Sequence, residues 1–515
     1  LKIISYHMKN TIVGLFCFIS LFSCAQERKA GSGLNFNPDK YEIQILTYNG
    51  KEIRVRAFEK IVYVEKPVDT TYQVLNFYVP EEYYRNKSIN GYNAQNAPIF
   101  FPNQVGGYMP AEPGSTKLNN FRPPINGGVV KDNNQQRPQG GLEDKKENTI
   151  LKALSHGYVV ASAGARGRTN KNKDGKYYGK APAGLVDLKA AIRYLKLNDR
   201  EMPGNADKII SNGTSAGGAM SALLGATGDN PDYLPYLKEI GAAETSDAIY
   251  ASSDYCPITN LDHADAAYEW QFFGVNDYKK GGLYGPQADT ATETLNERQQ
   301  KVSLELKNTF PAYINSLKLK DEKGNLLTLD NSGNGSFKEF LKAKVIVSAN
   351  VALKAGTDLS ERPFLIIKNG IVTDINWDEY IRYMQRQKTP PAFDALDLSA
   401  AENTEFGTES FDAKHFTEYS LKNTTVSNAV IADKQIVKMM NPMNYIGDAH
   451  TKTAKYWRIR HGSKDKDTGL AISAILAVRL ANQCYHVDYA LPWDKHHSGD
   501  YDLDELFHWI DQISK

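Results

Sequence analysis

The chain is predicted to fold as an α/β protein: a mostly parallel sheet covered by helices on both faces and interrupted by one large insertion. Three observations predict it. Short, nearly continuous apolar runs at Pro98-Ile99-Phe100-Phe101, Tyr158-Val159-Val160-Ala161, Lys208-Ile209-Ile210 and Ala248-Ile249-Tyr250-Ala251 read as strands buried on both faces. Helical stretches lie between some of them, the clearest from Ala183 to Leu197, where Leu185, Leu188, Ile192 and Leu195 form one stripe. The rhythm then stops near Thr259 and resumes only at Tyr456-Trp457-Arg458-Ile459-Arg460.

Taken in order, the chain opens on address information. Met8-Lys9 precedes the apolar run Thr11 to Phe22, which is too short to span a bilayer and has the size of a secretory signal. The run ends in Leu21-Phe22-Ser23-Cys24, which has the form of a lipobox. Residues 8–24 are therefore expected to be a lipoprotein-type signal peptide, with Cys24 lipidated and the mature chain exported; a plainly cleaved signal is the alternative. Tyr41 to Val79 holds strand-like runs at Ile43-Gln44-Ile45, Ile53 to Arg56, Ile61 to Val64 and Tyr72 to Phe77, expected as antiparallel strands at a sheet edge. Residues 25–258 form the first part of the core, with Asn103 to Gly141, rich in Pro, Gly, Asn and Gln, as a long irregular loop. Residues 259–438, charged and rich in Asn and Tyr, are expected to form a cap over the site. Residues 439–515 return to the core with a strand at Tyr456 to Arg460, a helix at Ala471 to Ala481, a strand at Val487 to Leu491 and a closing helix from Leu503 to Ile513.

Composition narrows the function classes. Lys and Arg number 61 against 60 Asp and Glu, so there is no basic surplus to hold nucleic acid. Of four cysteines, only Cys256 and Cys484 lie beyond the leader; they can pair or stay as free thiols. No Cys-x-x-Cys or His/Cys cluster has metal-ligand spacing, and no metal is expected.

The chemistry is concentrated at Gly213-Thr214-Ser215-Ala216-Gly217-Gly218, directly after the run ending at Ile210-Ser211-Asn212. It fits G-x-S-x-G, a strand-to-helix elbow that lifts a serine hydroxyl out of the backbone. A serine becomes a nucleophile only when a histidine takes its proton and a carboxylate holds that histidine's tautomer. In this fold the order along the chain is Ser, acid, His. The acid belongs on His461-Gly462-Ser463-Lys464-Asp465-Lys466-Asp467, where loop position favours Asp465 over Asp467. The base belongs after the last strand, where His497 is favoured over its neighbour His496. Ala216 N–H would supply one oxyanion donor, and Gly106 or Gly107, after the strand at Pro98, the other.

Four segments carry a resemblance: Gly213 to Gly218, Cys256-Pro257-Ile258-Thr259-Asn260-Leu261-Asp262-His263-Ala264-Asp265, Lys388-Thr389-Pro390-Pro391-Ala392-Phe393-Asp394 and His497-Ser498-Gly499-Asp500-Tyr501. Together they resemble the bacterial tannases, tannin acylhydrolases of the α/β-hydrolase fold. The resemblance implies Ser215, Asp465 and His497 as the triad. It also implies that Lys388, Glu402 and Asp467 bind the three hydroxyls of a galloyl group, with Ile258 against the ring. Two carboxylates and an ammonium can satisfy both the donors and the acceptors along that edge. The expectation is thus an exported serine esterase that releases gallate from small phenolic esters and needs no cofactor. It would touch a membrane only through the Cys24 anchor, and its oligomeric state stays open. The rivals are a feruloyl or general carboxylesterase with the same triad, a serine peptidase, and a binding protein that has lost catalysis.

Overall fold

The computed structural model describes residues 33–117, 147–279 and 292–515. The signal segment 8–24 with Cys24, and most of the loop expected from Asn103 to Gly141, lie outside the described residues. The strands in chain order are β1 (Glu42–Tyr48), β2 (Lys51–Val62), β3 (Val74–Pro80), β4 (Pro98–Pro102), β5 (Val159–Ala163), β6 (Asn205–Thr214) and β7 (Ala251–Tyr255). Two small ribbons follow, β8 (Asp277–Tyr278) with β9 (Glu293–Thr294) and β10 (Leu365–Lys368) with β11 (Ile371–Ile375). Last come β12 (Tyr456–Arg460) and β13 (His486–Ala490).

Nine strands make the main sheet, in the order β1-β2-β3-β5-β4-β6-β7-β12-β13. The first three are antiparallel, as expected for this edge of the sheet, and β3 meets β5 antiparallel. From β5 to β13 every pairing is parallel. Every residue of β4, β5 and β7 is buried, which requires cover on both faces of the sheet. The expected helix Ala183–Leu197 spans those residues, and the helices Ala216–Ala226, Leu470–Asn482 and Leu503–Ser514 stand where the sequence places them, within a residue or two where a range was expected.

Two elements differ from expectation. Ile53 to Arg56 and Ile61-Val62 belong to one strand, β2, whose pairing with β3 shifts register between Phe58 and Ile61, and Tyr63 and Val64 lie past its end. Strand β7 begins where the apolar run Ala248 to Ala251 ends, and its next residues are Ser252, Ser253 and Asp254. Polar side chains hid it. Ser252 is fully buried because its hydroxyl donates to the Ser221 carbonyl (2.9 Å).

β7 and β12 are parallel neighbours, yet residues 256–455 separate them along the chain. Among the described residues this stretch adds no strand to the main sheet. It holds the helices Leu261–Phe272, Glu297–Leu317, Ser336–Lys354 and Trp377–Met384. The first of these packs on the second, on Trp377–Met384 and on the core helix Leu470–Asn482, so the insertion is bound to the sheet rather than strung from it. No helix among the described residues is long and apolar enough to cross a membrane.

Candidate active site

The parallel strands β4, β6, β7, β12 and β13 deliver their carboxyl ends to one edge, where ligands of open α/β sheets bind. Ser215 stands between β6 and the helix Ala216–Ala226 at φ +61°, ψ −121°, a backbone conformation that L residues adopt only under constraint. The constraint is visible. A side chain at Gly213 would collide with the Gly217 carbonyl, and one at Gly217 would bring a Cβ within 2.6 Å of the Val105 carbonyl. The Ser215 N–H donates to the Tyr255 carbonyl at the end of β7 (2.9 Å), which pins the elbow to the next strand.

The loop after β12 and the loop after β13 meet beside it. His497 Nδ1 donates to Asp465 Oδ2 at 2.7 Å, and both side chains are buried. Asp465 Oδ1 accepts the backbone N–H groups of Asp467 (2.9 Å) and Thr468 (3.2 Å), and His461 Nε2 lies 3.3 Å from Oδ2. Burial alone would raise the Asp465 carboxyl. The facing imidazoles of His497 and His461 and these hydrogen bonds outweigh burial and hold it at about 2. His497 shows the complementary effect. Burial opposes its charge, but Asp465, then Cys256 and Asp467, raise it well above the usual histidine value. His496 is exposed. The His497 loop is anchored by Asp500, which accepts from Asn212 Nδ2 on β6 (3.0 Å) and from Thr149 Oγ1 (2.8 Å). Gly499 passes so close to Thr214 that no side chain fits there.

On the other flank, Asn103 leaves β4 and donates through Nδ2 to the Gly217 carbonyl (3.0 Å), holding the loop that carries Gly106 and Gly107 against the elbow helix. Gly107 takes φ +54°, and its carbonyl accepts Arg168 Nε at 2.8 Å. Among the described residues the N–H groups of Gly106 and Gly107 donate to no protein acceptor. Ala216 is buried at the start of the elbow helix.

The residues implied for the acyl group gather as well. Lys388 Nζ lies 3.1 Å from Asp467 Oδ1, and Asp467 Oδ2 lies 3.7 Å from His497 Nε2. Glu402, on the short helix Ala401–Glu405, is buried, which raises its carboxyl; the Lys388 charge lowers it and the Asp467 charge raises it further. Ile258 is buried, with its N–H 3.4 Å from the Ser215 carbonyl and its own carbonyl accepting the Tyr108 hydroxyl (3.3 Å).

Several residues at the site escaped the sequence reading. Arg168 Nη1 donates to Thr404 Oγ1 (2.6 Å) while its Nε holds the Gly107 carbonyl, so it ties the Gly106-Gly107 loop to the Glu402 helix. Asp394 accepts from His415 Nδ1 (2.7 Å), Asn403 Nδ2 (2.7 Å) and Thr417 N–H (2.8 Å), joining the Lys388 segment to the residue beside Glu402. Asp265 in turn accepts the N–H groups of Phe393 and Asp394 (2.7 and 3.0 Å), which links two of the four segments quoted above. Cys256 is a buried free thiol, Cys484 an exposed free thiol, and the two do not pair. Donor atoms of Cys256, Asp465 and His497 lie within 4.8 Å of one another.

The chain is similar to known proteins of one family. A family model described as BD-FAE matches residues 124–294. Comparison with curated proteins gave no match. Among solved structures, the Fusobacterium nucleatum tannase is 51% identical, with 94% of this chain and 99% of that one covered and a TM-score of 0.86. The native tannin acyl hydrolase from Lactobacillus plantarum is 43% identical, with coverage of 94% and 99% and a TM-score of 0.85. A tannin acyl hydrolase solved in complex with ethyl gallate is 42% identical, with the same coverage and a TM-score of 0.83. The chain belongs to the bacterial tannases, carboxylic ester hydrolases of the α/β-hydrolase fold.

Proposed function

We propose that this protein hydrolyses galloyl esters and depsides through a Ser215–His497–Asp465 triad and an acyl-enzyme. The observation that carries the proposal is the hydrogen bond from His497 to Asp465 beside the Ser215 elbow, with Lys388 and Asp467 paired at the same histidine. In the mechanism, Ser215 Oγ attacks the ester carbonyl while His497 Nε2 takes its proton. Asp465 holds the Nδ1–H tautomer and offsets the imidazolium charge. The oxyanion is received by the N–H groups of Ala216 and of Gly106 or Gly107. His497 then gives its proton to the departing alcohol, and a water activated by the same nitrogen releases gallate.

Lys388, Glu402 and Asp467 hold the phenolic hydroxyls, and Ile258 lies against the ring. One similar structure is a complex with ethyl gallate and another a complex with 3,4-dihydroxybenzoate, ligands that share adjacent ring hydroxyls. Such a pocket discriminates because an acyl group without hydroxyls leaves its buried charges without partners. The cap of residues 259–438 supplies Lys388 and Glu402. The leader supports a second, separate proposal, that the chain is exported and anchored by lipid on Cys24.

The acyl-enzyme is tested by quenching the enzyme during turnover of methyl gallate and mapping its peptides by mass. A galloyl adduct on the peptide holding Ser215 is expected. Turnover with the adduct on another residue, or undiminished turnover by Ser215→Ala, contradicts the mechanism.

A further inference from the structure

The spacing of histidines and cysteines along the chain suggests no metal site, but folding brings together two that lie 241 residues apart. Cys256 follows β7 and His497 follows β13. Cys256 Sγ lies 3.9 Å from His497 Nε2. A tetrahedral zinc ion bound by one thiolate at about 2.3 Å and one imidazole at about 2.05 Å holds those atoms roughly 3.6 Å apart. The observed separation needs only a few tenths of an ångström of closure. Cys256 has φ +36°, and its N–H is held by the Arg460 carbonyl (2.6 Å), so the thiol is fixed in place by backbone. Its S–H points at the Ser498 carbonyl (3.5 Å), which leaves a sulfur lone pair for the imidazole side.

His497 is arranged as metal-binding histidines usually are. Its Nδ1–H donates to Asp465 at 2.7 Å, which fixes the tautomer and directs the Nε2 lone pair outward. A general base and a metal ligand need the same preparation. Asp467 Oδ2, 3.7 Å from that nitrogen, offers an oxygen beside the pair.

We infer that Cys256 and His497 form an inhibitory site for a thiophilic divalent cation of the zinc group, with Asp465 orienting the imidazole and water completing the coordination. On binding, the metal–sulfur and metal–nitrogen bonds form, the S–H bond breaks, and the thiol proton leaves to solvent. No electron changes hands. The ion occupies the lone pair that would otherwise take the Ser215 proton, so hydrolysis stops while it is bound.

The binding claim rests on the geometry alone; the inhibition rests on the assignment of His497 as base. Cadmium is the probe, because thiolate-to-cadmium charge transfer absorbs in the near ultraviolet. The full chain and Cys256→Ser are titrated with cadmium in parallel, following absorbance, equilibrium dialysis and proton release. All other thiols, Cys484 included, are common to both proteins and cancel in the difference. The wild type is expected to bind one more ion than the variant, with at least one proton released, and Cys256→Ser to bind at that site at least about 10²-fold more weakly, beyond the 10- to 100-fold cost of losing only an outer partner. Hydrolysis of a short acetate ester should fall in step with occupancy, return with a chelator, and resist cadmium in the variant. Cys256→Ala gives a second test if the serine variant folds poorly. Equal cadmium binding with and without the thiol overturns the site. Thiol-dependent binding that leaves hydrolysis untouched upholds the site and instead removes His497 from the role of base.

Discussion

The two halves of this active site are built differently. The proposed triad stands on loops leaving β6, β12 and β13, held by the backbone of a parallel sheet buried on both faces. The proposed acyl pocket draws Lys388 and Glu402 from the insertion, where, among the described residues, no main-sheet strand positions them. A network of side chains does it instead: Asp265 holds the Phe393 and Asp394 backbone, and Asp394 holds His415, Asn403 and Thr417. A strand end fixes a catalytic group through covalent geometry and many backbone bonds. A pocket hung on a few buried carboxylates can change its specificity without disturbing the chemistry. Asp467 belongs to both halves, two residues from Asp465 and paired with Lys388.

The comparison breaks most sharply at the nucleophile. Ser215→Ala should remove hydrolysis of every ester, by about 10⁶-fold in kcat, with His497→Ala nearly as severe and the double variant no worse. Thermal unfolding of these variants should stay cooperative. Next comes the pocket. Glu402→Ala should lower kcat/KM on methyl gallate by about 10- to 100-fold, the scale of hydrogen bonds to a charged group, and leave a short acetate ester nearly unaffected. Asp394→Asn should act in the same selective direction by about 10-fold or less, because it loosens the Lys388 segment without touching substrate. A loss shared equally by gallate and acetate esters would show that the insertion supports the triad as well.

The smallest effect is in pH. The Asp465 and Asp467 carboxylates favour the imidazolium of His497, and the base must be neutral to act. The acid limb of kcat/KM should therefore lie above the ordinary histidine value of about 6.5. Asp467→Asn removes one of those charges, so its limb should move to lower pH. A limb at or below 6.5 in the wild type contradicts this electrostatic picture.

The same contrast explains what could be read from the sequence. The elbow announced itself because Gly213 and Gly217 are sterically required there, and chain order then led to the loops of Asp465 and His497. Burial on both faces wrote β4 and β5 as apolar runs. β7 was misplaced because Ser252, Ser253 and Asp254 are polar yet buried, Ser252 by donating to the Ser221 carbonyl. For Lys388 and Glu402 the residues alone pointed to solvated charge on the insertion, and only the resemblance suggested a pocket. Nothing local marks Arg168 or Asp394, whose partners lie up to 236 and 129 residues away. The closeness of Cys256 to His497 depends on β7, β12 and β13 lying side by side, a property of sheet order that no motif reports.

The central claim is that chemistry and recognition sit on separable supports, and one measurement tests it directly: kcat/KM of wild type, Asp465→Ala and Glu402→Ala on methyl gallate, methyl benzoate and a short acetate ester. The account predicts that the wild type prefers gallate to benzoate by up to about 10⁴-fold. Asp465→Ala should depress every substrate alike, and Glu402→Ala should depress gallate alone. Equal wild-type rates on gallate and benzoate, or a Glu402→Ala loss as large on acetate as on gallate, would contradict it.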